Sequence, residues 1–231
     1  MKITWLGHSG FRIEIGDQVL LINPWLSGNP LFPEERRADA IKGATHILVS
    51  HGHGDHSGSA LDIAGELNIP IVGIYDLMNW WHTTKGVQTV GFNKGGTITL
   101  GNVNVTLVNA VHSSSLDGDN GPIYTGSEAG FMIEHDGRTI YFSGDTDVTA
   151  DMEIFNDLHK PEIGLLAAGG YFTMDMRRAA YAARKFFDFK TIIPCHYRTF
   201  PILEQSAEEL VQGLPPGINV IEPEVMQPIA L

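Results

Sequence analysis

At 231 residues the chain is long enough to bury a sizeable core, and with no linker between its halves residues 1–231 read as one domain. Its 43% hydrophobic and 18% charged residues are those of a globular protein, which excludes a disordered chain or a coiled coil. Acidic residues outnumber Lys and Arg 27 to 15, a formal charge of −12 with no basic run, so a surface for nucleic acid polymers is excluded as well. In chain order, short β-branched runs predict strands at 2–6, 11–15, 19–22, 45–50 and 69–74. A helix is expected over 57–67, where apolar residues recur near helical period until Asn68-Ile69-Pro70 stops it. Further strands follow at 97–100, 103–109, 129–134 and 139–143. Gly16-Asp17, Gly101-Asn102 and Asp136-Gly137 are hairpin signals, the last a type I′ turn pairing 130–134 with 139–143.

The last third alternates: strand 163–167, helix 174–187, strand 190–194, helix 205–212 and a terminal strand near 219–221. Meanders early in each half with helices later predict an α/β fold of two mixed sheets packed face to face and flanked by helices, a four-layer αββα sandwich. Stretches 25–42 and 113–128 read as long irregular loops, the kind that selects substrate. The first residues carry no charged leader before an apolar segment, and no apolar run reaches membrane-spanning length. One cysteine, Cys195, permits no internal disulfide. A cytoplasmic protein without a membrane partner is the expectation. Trp80-Trp81 suits either the core or an interface between copies, which leaves a homo-oligomer open.

Chemistry concentrates in Ser50-His51-Gly52-His53-Gly54-Asp55-His56, three imidazoles and a carboxylate within six positions, directly after a strand and before a helix. A solvated polar loop accounts for one or two histidines but gives no reason for this spacing. Divalent ions take neutral imidazole and carboxylate ligands, and Gly52 and Gly54 are expected to let the loop fold tightly enough for alternate side chains to converge. His112 and His196 at strand ends read, by themselves, as packed histidines, and Asp145 in Gly144-Asp145-Thr146 reads as a turn or helix cap.

The complete run His51, His53, Asp55, His56 resembles the signature of the metallo-β-lactamase superfamily, and His112, Ser143-Gly144-Asp145-Thr146 and Pro194-Cys195-His196 follow in that family's order. Segments 6–11, 23–30 and 169–174 are similar to the bacterial and archaeal metal-dependent hydrolases related to ascorbate-6-phosphate lactonase. The resemblance implies two divalent ions, zinc first with manganese or iron as alternatives. His51, His53 and His112 would hold one, Asp55, His56 and His196 the other, with Asp145 between them. It implies hydrolysis of a small, anionic ester, lactone or phosphoester by a bridging hydroxide, with Asp55 and His8 as the catalytic residues. His8 would donate to substrate or brace a metal ligand. A phosphodiesterase and a non-catalytic binding protein are the competing functions. In a strand, a ligand at His196 turns Cys195 toward the core. Arg36, Arg37 and Arg198 are candidates for meeting an anionic substrate. One departure stands out: Asn23 occupies a place where such hydrolases commonly carry aspartate, so metal affinity is expected to change.

Overall fold

The computed structural model describes residues 1–231. The first half runs β1 (Lys2–Gly7), β2 (Gly10–Ile15), β3 (Gln18–Ile22), a 3-10 turn (Glu34–Arg36) leading into α1 (Arg37–Ile41), β4 (His46–Val49), α2 (Gly54–Ser57), α3 (Ala60–Leu67), β5 (Ile71–Ile74), α4 (Tyr75–Lys85) and β6 (Thr89–Phe92). The second runs β7 (Thr97–Leu100), β8 (Val103–Asn109), β9 (Ser115–Gly118), β10 (Gly121–Tyr124), β11 (Ala129–His135), β12 (Arg138–Phe142), α5 (Asp151–His159), β13 (Ile163–Ala167), α6 (Met176–Phe186), β14 (Thr191–Cys195), α7 (Glu208–Gln212), β15 (Asn219–Val220) and β16 (Pro228–Ala230). One seven-stranded sheet has the order β16-β1-β2-β3-β4-β5-β6 and the other β15-β14-β13-β12-β11-β8-β7.

Both sheets are mixed for the same reason. Two-residue turns can only join antiparallel neighbours, so β1–β2–β3, β7–β8 and β11–β12 are hairpins, while β8 pairs antiparallel with β11 across the longer connection that carries β9 and β10. Where a helix intervenes the next strand returns parallel, as in β4–β5 and β13–β14. Asp136 and Gly137 both have positive φ, +51° and +72°, the type I′ turn expected, and Glu134 pairs with Thr139. The sheets meet through their apolar faces; Phe11 of β2 and Phe142 of β12 lie with ring centroids 6.2 Å apart. Cys195 is buried, as predicted, and Trp81 is core while Trp80 is partly exposed. No helix is long and apolar enough to cross a membrane.

Several expectations need correction. The predicted helix 57–67 is two pieces, α2 and α3, and α6 begins two residues later than expected. Stretch 25–42 contains the 3-10 turn and α1, and 113–128 is largely the two-stranded hairpin β9–β10. Helices α4 and α5 and strand β6 lie where none was expected. Aromatic and β-branched residues in α4 have weak helix propensity, and it is the burial of Leu77, Met78 and Trp81 that holds it.

Candidate metal centre

The end of β4 delivers the cluster. Ser50 and His51 are buried at the strand's mouth, and α2 starts at Gly54, so Asp55 and His56 occupy its first turn and face back across the loop. Gly52 is needed for a neighbour: a Cβ there would lie 2.7 Å from Thr125 Oγ1 and 3.0 Å from the Ser115 carbonyl, so a side chain would push the β9–β10 hairpin off the loop. Gly54 is different, its nearest atom being Asp117 Oδ2 at 4.0 Å; the expected tight folding does not require it.

The second sheet supplies the rest. His112 lies three residues beyond β8 and not in the strand, with its backbone N–H held by Glu128 Oε1 at 2.9 Å. Asp145 follows β12, and His196 follows β14 in left-handed conformation, φ +59°. All seven predicted ligand residues converge. His51, His53 and His112 bring one ligand atom each within 4.8 Å of one another, and so do Asp55, His56 and His196, together with His8. Asp145 Oδ2 lies between the two sets, 3.0 Å from His196 Nε2, 3.2 Å from His56 Nε2 and 3.6 Å from His112 Nε2.

The donor chemistry fits divalent cations. His56 Nε2 and Asp145 Oδ1 are buried without a hydrogen-bond partner, a costly arrangement in a closed protein interior unless a cation is shared there. Burial lowers the pKa of His51, His53 and His112, which leaves neutral rings with a free lone pair at pH 7. Burial opposes the charge on Asp145, yet His196 and His56 overcome it and hold that carboxyl well below its usual range. For His56 the balance is opposite in sign: burial lowers its pKa, and Asp145 and Asp55 raise it on balance.

His8 sits in the turn after β1 with φ +51° and is buried, out of the cleft. Its Nε2 is 2.9 Å from Asp55 Oδ2 and its Nδ1 2.8 Å from Thr199 Oγ1. Burial, then His196, lowers its pKa to about 4, so the neutral ring donates Nε2–H to Asp55 and accepts the Thr199 hydroxyl. His8 thus contacts Asp55 and does not line the cleft. Asn23 touches the cluster too. Its Oδ1 accepts the Ser50 N–H at 2.8 Å, and its Nδ2 lies 2.8 Å from both Ser50 Oγ and His56 Nδ1.

The cleft above the cluster, about 310 Å³, is lined by His53, Asp55, His112, Ser113, Asp145 and His196 with Phe172 at its side. No Lys or Arg lines it. Arg36 and Arg37 pair with Asp39 and Glu66, and the Arg198 guanidinium lies over the Trp5 and Tyr197 rings, 5.3 and 5.2 Å from their centroids. The expected cationic contacts to substrate are therefore absent from the lining. Thr199 went unread in the sequence, while Ser50, Phe172 and Glu128 fell inside the segments 50–56, 169–174 and 113–128 without a role of their own; the fold supplies those roles.

Two mixed sheets, each a meander continued by parallel crossovers, with a His/Asp cluster where their strand ends meet, define the metallo-β-lactamase fold. The chain belongs to that superfamily: residues 2–196 match the family model described as a beta-lactamase superfamily domain. It is 68% identical, over the full length of both chains, to a metal-dependent hydrolase of Dinoroseobacter shibae, and 66% identical, again over both full lengths, to one of Paracoccus denitrificans. Among solved structures it resembles a metallo hydrolase of the archaeon Ignicoccus hospitalis, with TM-score 0.85 and 30% identity, covering 100% of this chain and 98% of that one. An isothiocyanate hydrolase from Delia radicum gut bacteria shares the fold at TM-score 0.77 and 18% identity, covering 100% and 99%.

Proposed function

We propose that the chain is a dinuclear metal-dependent hydrolase of a small ester or lactone, with zinc as the first choice of metal. One observation carries this reading: Asp145 Oδ2 stands within 3.0–3.6 Å of imidazoles from both ligand sets. A single oxygen in that place suits two cations far better than one. His51, His53 and His112 would hold the first, Asp55, His56 and His196 the second. Bound there, the cations would polarise the substrate carbonyl and acidify water to near neutral pH.

The chain's own groups do the rest. Asp55, its side chain one-third exposed to the cleft, orients the attacking water by accepting a hydrogen bond. His8 is a positioning residue: its Nε2–H pins Asp55 Oδ2 while Thr199 pins the ring. Phe172 contributes apolar surface for the leaving or acyl group. The absence of Lys and Arg from the lining favours an uncharged carboxylic ester or lactone over a phosphoester. We read 1–231 as one domain, since β15 and β16, beyond the family match, extend the two sheets. We place the protein in the cytoplasm, consistent with one buried thiol.

The test pairs metal analysis of the purified protein with ester and lactone hydrolysis before and after chelation. About two ions per chain, activity lost on chelation and restored by zinc or manganese, is the expected result. Fewer than one tightly held ion, or turnover indifferent to chelation, defeats the reading.

A further inference from the structure

The cleft over the metal centre is lined by six polar residues and a single apolar one, Phe172. Any apolar part of a substrate whose carbonyl reaches the cluster therefore has one surface to lie against. Phe172 does not stand alone: its ring meets that of Tyr171 edge to face, with centroids 4.7 Å apart and planes at 78°. Tyr171 is 73% exposed and Phe172 54%, so the pair carries the apolar wall from the cleft outward into solvent. Aromatic surface left in water marks a binding site, and here it is continuous with the cleft.

The backbone is built to hold the pair there. Tyr171 has φ +56°, a left-handed conformation that a bulky side chain adopts only under constraint. The constraint comes from the turn around it. The Gly170 N–H donates to the Met174 carbonyl at 2.9 Å, and the Phe172 N–H to the Gly170 carbonyl at 2.6 Å. Just before the turn, the Ala168 N–H donates to the carbonyl of Cys195, the residue before His196, at 3.0 Å. Just after it, the Met174 N–H donates to the carbonyl of Thr146, the residue after Asp145, at 3.1 Å. The turn is thus tied to two of the segments that carry the cluster, and its rings keep a fixed station beside it. Strained residues held by such surroundings gather at ligand clamps.

We infer that Tyr171 and Phe172 select the substrate: among uncharged esters and lactones the chain prefers those whose carbonyl-bearing part carries an aromatic ring. Phe172 supplies the inner contact and Tyr171 the outer one. Ring quadrupoles reward a third ring placed edge-on or offset, beyond the area it buries. A short alkyl chain covers less of the wall and gains less.

This inference rests on the proposed ester and lactone hydrolysis, and the experiment separates the two. Chelator-sensitive hydrolysis is followed for three matched pairs: methyl acetate with methyl phenylacetate, methyl propionate with methyl 3-phenylpropionate, and γ-butyrolactone with its γ-phenyl derivative. Each kcat/KM is divided by the alkaline hydrolysis rate of the same compound, which removes intrinsic reactivity. The ratio within a pair is then independent of how much of the sample is folded or loaded. The phenyl member should lead by about tenfold or more in at least one pair, mainly through KM, because a fixed wall binds substrate and transition state alike. In Phe172→Ala and in Tyr171→Asn that lead should shrink by about three- to tenfold. Asparagine tolerates left-handed backbone far better than tyrosine, so Tyr171→Asn should melt at or above the parent, and its lost preference then belongs to the ring and not to a damaged fold. No phenyl preference in any pair, or one that Tyr171→Asn leaves unchanged, overturns this inference and leaves the hydrolase reading standing. Turnover of none of the six compounds overturns the ester and lactone reading and takes this one with it.

Discussion

Gly52 and Gly54 flank His53 and look equivalent in sequence, yet only one is crowded. Gly52→Ala must displace Thr125 and the Ser115 backbone, and is expected to lower stability by about 1–3 kcal/mol, whereas Gly54→Ala faces open space and should be nearly silent. Thermal melts of the two variants decide this, and equal losses would refute it. Thr199→Val, which deletes the hydroxyl holding His8 Nδ1, should weaken cation binding at the Asp55 position by about tenfold, read by competition with a chelating dye. At this scale legibility followed contiguity. His51 to His56 announce themselves because one loop carries them all, while Thr199 and Glu128 act on residues that only folding brings near. Even Asn23, noticed as an unusual residue, meets Ser50 and His56 only once the chain is folded.

Among the elements, α6 is the one with a side-chain N-cap: Asp175 accepts the Arg178 N–H at 2.7 Å. Asp175→Ala should cost about 1 kcal/mol, a fall of roughly 2–4 °C in melting temperature for a chain this long. A second device ties strand starts together. Glu162, just before β13, pairs with Arg138 at the head of β12 and with Lys190, adjoining β14. Lys190, with Arg138, holds the Glu162 carboxyl below its ordinary 4.5. Its stabilising contribution is thus present above pH 4.5 and fades as pH falls through that value toward the folded-state one. Glu162→Gln should lose under about 1 kcal/mol at neutral pH, because the partners are largely solvated, and nothing well below pH 4.5. Melting curves across pH check the sign. The strands were readable since β-branched runs and two-residue turns are local signals. The hairpin β9–β10 was not, since Asp117-Gly118-Asp119 looks like loop until Gly121–Tyr124 pairs with it, and α5 is short with only Met152 and Phe155 facing inward.

Taken whole, the molecule closes one half onto the other around a His/Asp cluster, so cation binding and folding should be linked. Saturating zinc at about 100 times its dissociation constant adds about 2.7 kcal/mol, a rise of roughly 5–10 °C in melting temperature that chelation reverses. An unchanged melt would contradict this. The overall architecture was legible because the alternation of meander and crossover is written twice along the chain, whereas the arrangement of donors depends on strand ends of both sheets arriving together.

That divided origin has a practical consequence. His51 to His56 hang from one sheet, and His112, Asp145 and His196 from the other. Cobalt loaded into the proposed centre would give the protein a visible colour that exists only while the halves stay registered. The hue should vanish at the same urea concentration that shifts tryptophan fluorescence, and a fragment ending before His196 should never develop the full spectrum.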